Sequence, residues 1–476
     1  MQQEDGRYKT WKMKIWLEVF FVLLLVGVCL ALITENRHPV KTLAWILLLV
    51  FVPGVGLVLY YLVGMNKRQR RLISSDKLAA LKRFSVDQYD PACLTELSDM
   101  ANLLWMTNKA VPLNGNDIRV YTSFDPMVRD MMKDLRYAKD HIHLEFYLFA
   151  DDHIGTEIGN ILIAKAQEGV KVRVQIDDAA NIQRRKFYNR LKKHGVEVSS
   201  FLKIFVPFVS NDANFRNHRK LVVIDGRIGY CGGMNIADRY SKGIQCGKWR
   251  DTHFRVEGPA ASELQTAFLV DWQFSTKQFV CDERYYPRCE PCGNVTMQVA
   301  SSGPMDEWHV TMQGIIRIIT QSHKYVYIES PYFIPNEPVM MALKNAALSG
   351  VDVRIIIPAS GDRGALTTYA SRSYVQDALN AGVRVYFYTG GYMHSKAIVS
   401  DDRVSTIGST NIDVRSFEQN FEINAFFYDA GIAHRLRDAF LQDESESIEI
   451  NQENWQSRRK WRRIAESFAR LFSPLL

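Results

Sequence analysis

Cysteine is scarce in this chain: seven in 476 residues, an odd number, and scattered. A disulfide-stapled fold is therefore excluded as the organising principle, and a reducing compartment is expected. Only Cys281, Cys289 and Cys292 lie close together. No fourth ligand sits near them at a usual zinc spacing, so no metal is expected. Charge of one sign is not in great excess either. The net charge of +7 is modest, and its distribution says more than its sum. Basic residues interleaved with aromatics along a groove are lacking, which counts against a nucleic-acid partner.

Two long apolar runs stand near the start. Ile15 to Ile33 is apolar apart from Glu18, and Leu43 to Gly64 is apolar throughout. At about 1.5 Å per residue, each can cross a hydrocarbon layer of roughly 30 Å. Only Thr34 to Thr42 separates them, so a helical hairpin is expected. Pro53, Gly54 and Gly56 interrupt the second run, which leaves a full span and a kinked or re-entrant one both open. A cleaved signal peptide is disfavoured, because no small-x-small site follows the first run and a second run comes at once. Arg7, Lys9, Lys12 and Lys14 precede the hairpin and Lys67, Arg68, Arg70 and Arg71 follow it, against Arg37 and Lys41 in the loop. That bias places both flanks, and the large C-terminal part, in the cytoplasm.

One eight-residue pattern occurs twice. His218-Arg219-Lys220-Leu221-Val222-Val223-Ile224-Asp225 and His394-Ser395-Lys396-Ala397-Ile398-Val399-Ser400-Asp401 both read H-x-K-x-x-x-x-D. Both run without a gap into a small-residue turn ending in Asn235 and Asn411. Wider segments repeat as well: His141–Tyr147 with Tyr325–Tyr332, then Gly169–Val174 with Gly350–Ile355, then Gly195–Val198 with Gly382–Val385. Strands alternating with helices indicate an α/β fold, and two such series indicate an internal duplication.

If each motif is a strand, residues two apart share a face. His218 and Lys220 then point one way, as do His394 and Lys396, while Asp225 and Asp401 have the opposite parity. The six motif residues are the catalytic candidates, with the aspartates expected to act mainly through hydrogen bonds at the strand ends. Two His and two Lys facing each other suit a phosphodiester. Lysines neutralise the phosphate and the charge that grows on it. One neutral His can attack phosphorus, and the other can protonate the leaving oxygen and then activate an acceptor. Asn235, Ser409 and Asn411 are the expected hydrogen-bonding groups around the phosphate. The motifs lack the clustered carboxylates of a two-metal site. Glu422 can orient a histidine or contact substrate, or be an ordinary strand carboxylate, and Asp251 is its candidate first-half counterpart. Glu145 and Glu329 stand at equivalent repeat positions, where a salt bridge and a catalytic role are both open.

These residues resemble the phospholipase D superfamily, whose signature is the doubled motif, over roughly residues 118–430. Within it the chain is similar to the bacterial cardiolipin synthase family. The carriers are Glu35-Asn36-Arg37-His38-Pro39 and Lys41-Thr42-Leu43-Ala44-Trp45, Phe215–Lys220, Ser330–Pro335, and Ser473-Pro474-Leu475-Leu476. The resemblance implies two similar α/β halves in a pseudo-twofold sandwich, preceded by a transmembrane helical hairpin, with the active site between the halves. It implies that two phosphatidylglycerol molecules become cardiolipin and glycerol through a phosphatidyl-histidine, without a cofactor. By the same resemblance His218 is the nucleophile and His394 the general acid and base, although sequence symmetry allows the exchange. A phospholipid hydrolase is the alternative, and a superfamily nuclease a more distant one.

The expected organisation is a membrane hairpin over 1–65, a helical connector over 66–117, the two halves over 118–280 and 281–430, and a basic amphipathic tail over 431–476. In that tail Trp461, Ile464, Ala465, Phe468, Leu471, Phe472 and Leu475 recur at helical spacing among six basic residues. Such a helix can lie on an anionic membrane, or pack on the protein with a solvated basic face. Phe201 to Phe208 can be a further lipid contact or a buried strand and loop. The expected partners are phosphatidylglycerol, cardiolipin and an anionic lipid membrane, and a homo-oligomer is compatible with the sequence.

Overall fold

The computed structural model describes residues 2–35, 39–64, 72–89, 97–203, 214–245, 247–361 and 364–476. The chain divides into an N-terminal helical unit and a large α/β unit. Several residues used above lie outside the described ones: Asn36, Arg37 and His38, the basic cluster 67–71, and residues 204–208.

In the helical unit one helix runs over Gln2–Thr34. Its Trp11–Thr34 stretch is long and apolar enough to cross a membrane. The second apolar run is not one helix. It divides into Pro39–Phe51, Pro53–Leu59 and a π-helical turn at Tyr60–Gly64. Pro53 has no N–H to donate, and Val52 before it leaves helical geometry at φ −135°, ψ 63°. Pro39–Phe51, at 13 residues, is shorter than the roughly 20 a crossing helix needs. Gly56 is required beside the break, since a Cβ there would sit 2.8 Å from the Leu48 carbonyl oxygen.

The α/β unit begins with the helices Ser75–Val86 and Ser98–Asn108. The first half then supplies β1 (Leu113–Tyr121), β2 (His141–Phe146), β3 (Lys171–Asp177), β4 (Glu197–Phe201), β5 (Arg216–Asn217), β6 (Lys220–Ile224), β7 (Ile228–Gly232), β8 (Lys248–Arg250) and β9 (His253–Glu257). The second supplies β10 (Val295–Ser302), β11 (Tyr325–Glu329), β12 (Phe333–Ile334), β13 (Asp352–Pro358), β14 (Arg384–Tyr388), β15 (Gly391–Met393), β16 (Ala397–Ser400), β17 (Val404–Gly408), β18 (Ile412–Asp413), β19 (Asn420–Phe427) and β20 (Ser447–Glu449).

The duplication is explicit in the sheet. The first half runs β1-β9-β7-β6-β2-β3-β4 and the second β10-β19-β17-β16-β11-β13-β14, with β20 added at the edge. β1 and β10 pair antiparallel, Leu113 opposite Met297, and join the halves into one sheet. β2 and β6 are buried along their whole length, as expected for strands covered on both faces. One face of the first half is covered by helices such as Phe124–Tyr137 and His153–Gln167, and that of the second by Val310–Thr320 and Glu337–Leu348. A shared core on the opposite face gathers Phe268 and Trp272 from Ala261–Thr276 with Leu436 and Phe440 from Ala430–Ser445. Ala430–Ser445 thus packs on the sheet, and the amphipathic tail begins later, at the helix Lys460–Arg470.

Two short strand pairs cross between the halves. β5 of the first half lies parallel to β19 of the second, Asn217 opposite Phe421. β15 of the second lies parallel to β8 of the first, Met393 opposite Arg250. Each of these pairs ends one residue before a motif histidine.

Candidate active site

The motif histidines are not inside regular strands. His218 sits between β5 and β6, and His394 follows β15. The crossing pairs continue in register past their last residues, so His218 arrives beside Glu422 and His394 beside Asp251. His218 N–H donates to the Phe421 carbonyl at 2.9 Å and His394 N–H to the Arg250 carbonyl at 2.7 Å. All four side chains are buried.

His218 Nδ1 lies 3.1 Å from both carboxylate oxygens of Glu422 and 3.1 Å from the Ser409 carbonyl oxygen. Every partner there is an acceptor, so Nδ1 carries the hydrogen and Nε2 keeps its lone pair. Burial pushes His218 down to about 4, further than Glu422 raises it, with Lys220 and Lys396 also lowering it. Burial pulls Glu422 upward, but His218, Lys220 and the Ser409 hydroxyl outweigh it and hold the carboxyl below its usual value. His394 Nδ1 lies 2.6 Å from Asp251 Oδ2. Burial raises Asp251, against Lys396 and the Thr252 N–H.

The lysines complete the cluster. Lys220 donates to the His218 carbonyl and lies 5.6 Å from the centre of the Tyr147 ring. Lys396 donates to the His394 carbonyl and reaches His394 Nδ1 at 3.0 Å. Tyr147 packs edge-on against His218, centroids 5.2 Å apart. A cavity of 260 Å³ opens onto His218, lined also by Tyr147, Arg216, Arg415, Asn420 and Leu476. A larger one, of 370 Å³, reaches Arg219 and Asp306 but neither motif histidine.

Other expected site residues fall elsewhere. Asp225 takes a left-handed φ of 52° and accepts the backbone N–H groups of Lys139, Asp140 and His141 at 2.8–2.9 Å. Asp401, at φ 53°, accepts those of His323, Lys324 and Tyr325 at 2.7–2.9 Å. Both fasten the start of the neighbouring strand, β2 or β11, and neither contacts the histidine cluster. Asn235 accepts the Leu148 N–H at 3.1 Å and donates to the Tyr240 hydroxyl at 2.6 Å, so its amide braces a loop. The Ser409 hydroxyl donates to Glu422 and accepts the Ile423 N–H, so it holds the carboxylate rather than facing a phosphate. Asn411 donates to Asp413 at 3.1 Å, while its buried Oδ1 meets no donor among the described residues. Glu422 itself faces His218, Ser409 and Asn420, a position from which it can orient the histidine. The thiols of Cys289 and Cys292 meet the backbone carbonyls of Gly226 and Glu257.

Glu145 and Glu329 sit in two matching charged clusters. Glu145 accepts from Asn217 and Gln175, and Asp271 pairs with Arg219. Glu329 and Asp443 share Arg250 at 3.4 and 2.7 Å. Burial, then Asp271, raises Glu145, and burial, then Glu329, pushes Asp443 up to about 8. One cation held between two buried carboxyls favours one of them neutral. These clusters brace Arg219 and Arg250, the chain neighbours of His218 and Asp251.

Arg216 and Asn420 were not singled out in the sequence, yet their parity gives a signal. Each precedes a site residue, His218 or Glu422, by two positions on an extended segment, and both line the cavity.

Comparison with known proteins adds an independent line. The family described as "Cardiolipin synthase, PLD-like domain" matches residues 131–272 and 315–444. One described as "Phospholipase_D-nuclease N-terminal" matches residues 19–64. The chain is 37% identical over 97% of its length to "Major cardiolipin synthase ClsA" of Bacillus subtilis (strain 168), covering 99% of that protein. It is 37% identical over 96% of its length to "Cardiolipin synthase" of Staphylococcus aureus (strain Mu50 / ATCC 700699), covering 95% of it. Among solved structures, phosphatidylserine synthase of Haemophilus influenzae Rd KW20 shares the fold with a TM-score of 0.60 and 14% identity, over 79% of this chain and 100% of that one.

Proposed function

The chain belongs to the cardiolipin synthase family with phospholipase D-like domains, and on that premise we propose that it transfers a phosphatidyl group between two phosphatidylglycerol molecules, giving cardiolipin and glycerol. One observation carries the chemistry: each half's histidine has its Nδ1 against a carboxylate of the other half, which turns the Nε2 edge of each ring away from that carboxylate.

His218 is the nucleophile. Its Nδ1–H is fixed on Glu422, burial keeps the ring neutral at physiological pH, and the 260 Å³ cavity opens onto it. Nε2 attacks the phosphorus of the first lipid, and the P–O bond to its headgroup glycerol breaks. His394 gives that oxygen a proton, and glycerol leaves. A headgroup hydroxyl of the second lipid then loses its proton to His394 and attacks the phosphatidyl-histidine. Cardiolipin forms and His218 is regenerated. Lys220 and Lys396 balance the phosphate charge through both steps. No metal is needed for either transfer.

The protein acts at a membrane, anchored through Trp11–Thr34. No single helix of the second run is long enough to cross, but Pro39–Gly64 taken as a whole has the length for a kinked return crossing. Basic residues before and after the two runs, against Arg37 and Lys41 between, support a cytoplasmic site for the α/β unit.

The test is purified protein with phosphatidylglycerol alone. Cardiolipin and glycerol in equal amounts are expected, and phosphatidic acid without cardiolipin would mark a hydrolase instead. With acyl-labelled lipid, His394→Ala should retain labelled protein and His218→Ala should not. The reverse pattern exchanges the two roles.

A further inference from the structure

The tail helix Lys460–Arg470 is turned opposite to what burial of apolar surface would favour. It packs on the helix Ala365–Ser373 through Glu466 and Ala469, both buried, with Ser473 beyond them. Arg458 holds Glu466 through two bonds of 2.6 and 3.0 Å, and Arg470 pairs with Asp377 at 2.8 Å. These polar contacts fix the helix by its less apolar side. Trp461, Ile464, Phe468 and Leu471, spaced along one helical face, remain 52, 69, 60 and 73% exposed. Arg459, Lys460, Arg462 and Arg463 flank that face, also exposed, and form no ion pair among the described residues.

A soluble protein has little reason to hold an apolar face outward with ion pairs, one of them half-buried. Unpaired cations beside it complement an anionic lipid surface, on which an apolar face enters the acyl boundary while arginines meet phosphates. The position of the tail adds the link to catalysis. Its last two residues, Leu475 and Leu476, line the cavity that opens onto His218, and the Pro474 carbonyl accepts from Gln419 at 2.7 Å.

We propose that the segment 460–476 is an interfacial docking element, which lays Trp461, Ile464, Phe468 and Leu471 into an anionic bilayer and so places the mouth of the His218 cavity at the lipid headgroups. It rests on the phosphatidyl-transfer reading above and adds to it the surface through which lipid enters.

The test uses the full chain reconstituted in phosphatidylcholine vesicles. Turnover is measured with graded phosphatidylglycerol in the bilayer, and separately with dihexanoyl-phosphatidylglycerol added as monomers from solution. In Ile464→Ser/Phe468→Ser, whose altered side chains are exposed, the ratio of bilayer KM to monomer KM should rise about tenfold. An unchanged ratio overturns the proposal, as does an equal change with both substrates, which would mark a role in shaping the cavity. A lower mass of the detergent-solubilised variant also overturns it, because the face would then be a contact between copies of the chain. If the unaltered protein turns over neither substrate, the phosphatidyl-transfer reading is what fails.

Discussion

Glu422, on β19 of the second half, holds Nδ1 of His218, in the first half, at 3.1 Å through both carboxylate oxygens. The pair exists because β5 crosses to β19 and puts Asn217 opposite Phe421. Asp251 and His394 stand in the mirrored relation through β8 and β15. Neither half contains a complete histidine pair of its own.

Glu422→Gln tests what that contact does. An amide there can donate to Nδ1 and move the ring hydrogen to Nε2, which removes the reactive lone pair. Formation of the phosphatidyl-enzyme should slow by about 10²-fold or more, with little change in thermal unfolding. Rapid-quench measurement of the glycerol burst reads this directly. An unchanged burst would mean that Glu422 only fills space.

Asp225 should behave in the opposite way. It satisfies three backbone N–H groups at a left-handed φ. Asp225→Ala removes the acceptor and puts a less tolerant residue at that φ, a cost of about 1–3 kcal/mol. The expected result is a Tm several degrees lower with kcat preserved in the folded enzyme. Asp225→Asn, which tolerates the backbone and keeps one oxygen, should fall between. Loss of kcat at unchanged Tm would return Asp225 to the chemistry.

The sequence carried this distinction because strands have a period of two: an odd offset from His218 to Asp225 sets their side chains on opposite faces. The same logic was available for Arg216 and Asn420, which sit at even offsets. The carboxylate partners were not legible in the same way. Glu422 and Asp251 stood out only by distance from their turns, and that distance differs between the halves. Their relation to the histidines depends on strand pairs between halves of only two and three residues, which leave no periodic trace. The orientation of the tail was hidden for a similar reason. Helical spacing shows that one face is apolar, but Glu466 and Ala469 decide which face is covered.

Acid should weaken the fold through His253. It is fully buried, neither ring nitrogen has a partner among the described residues, and burial pushes it down to about 3. The unfolded residue titrates near ~6.5. Stability is therefore fully present above that pH and is lost as pH falls toward the folded value, because the unfolded chain takes up the proton first. Between pH 7 and 5 the loss from this group is about 2 kcal/mol. His253 faces Gly232 across β7 and β9 as Asn424 faces Gly408 across β17 and β19. Asn424 bonds the Thr406 hydroxyl and the Thr410 N–H. His253→Asn should flatten the dependence of urea midpoint on pH in this range. An unchanged slope would show that another group accounts for it.

Gly233 tests the asymmetry between the halves. Its counterpart Ser409 uses its hydroxyl to hold Glu422. Asp251 is one methylene shorter than Glu422, and its carboxylate comes so close that a Cβ on Gly233 would lie 2.0 Å from Oδ1. A side chain at this position must push Asp251 away from His394. Gly233→Ser, although it makes the two turns more alike, should therefore loosen His394 and slow both transfers by about 10²-fold. The acid–base role predicts a particular signature: the glycerol burst and cardiolipin formation should slow together, because the leaving oxygen is not protonated and the acceptor is not deprotonated. Ser409→Gly creates no clash and removes one bond to a carboxylate that Asn420 and His218 still hold. Its loss should be smaller, about tenfold or less. Equal losses in the two variants, with the glycerol burst unchanged in Gly233→Ser, would mean that Asp251 does not act through His394.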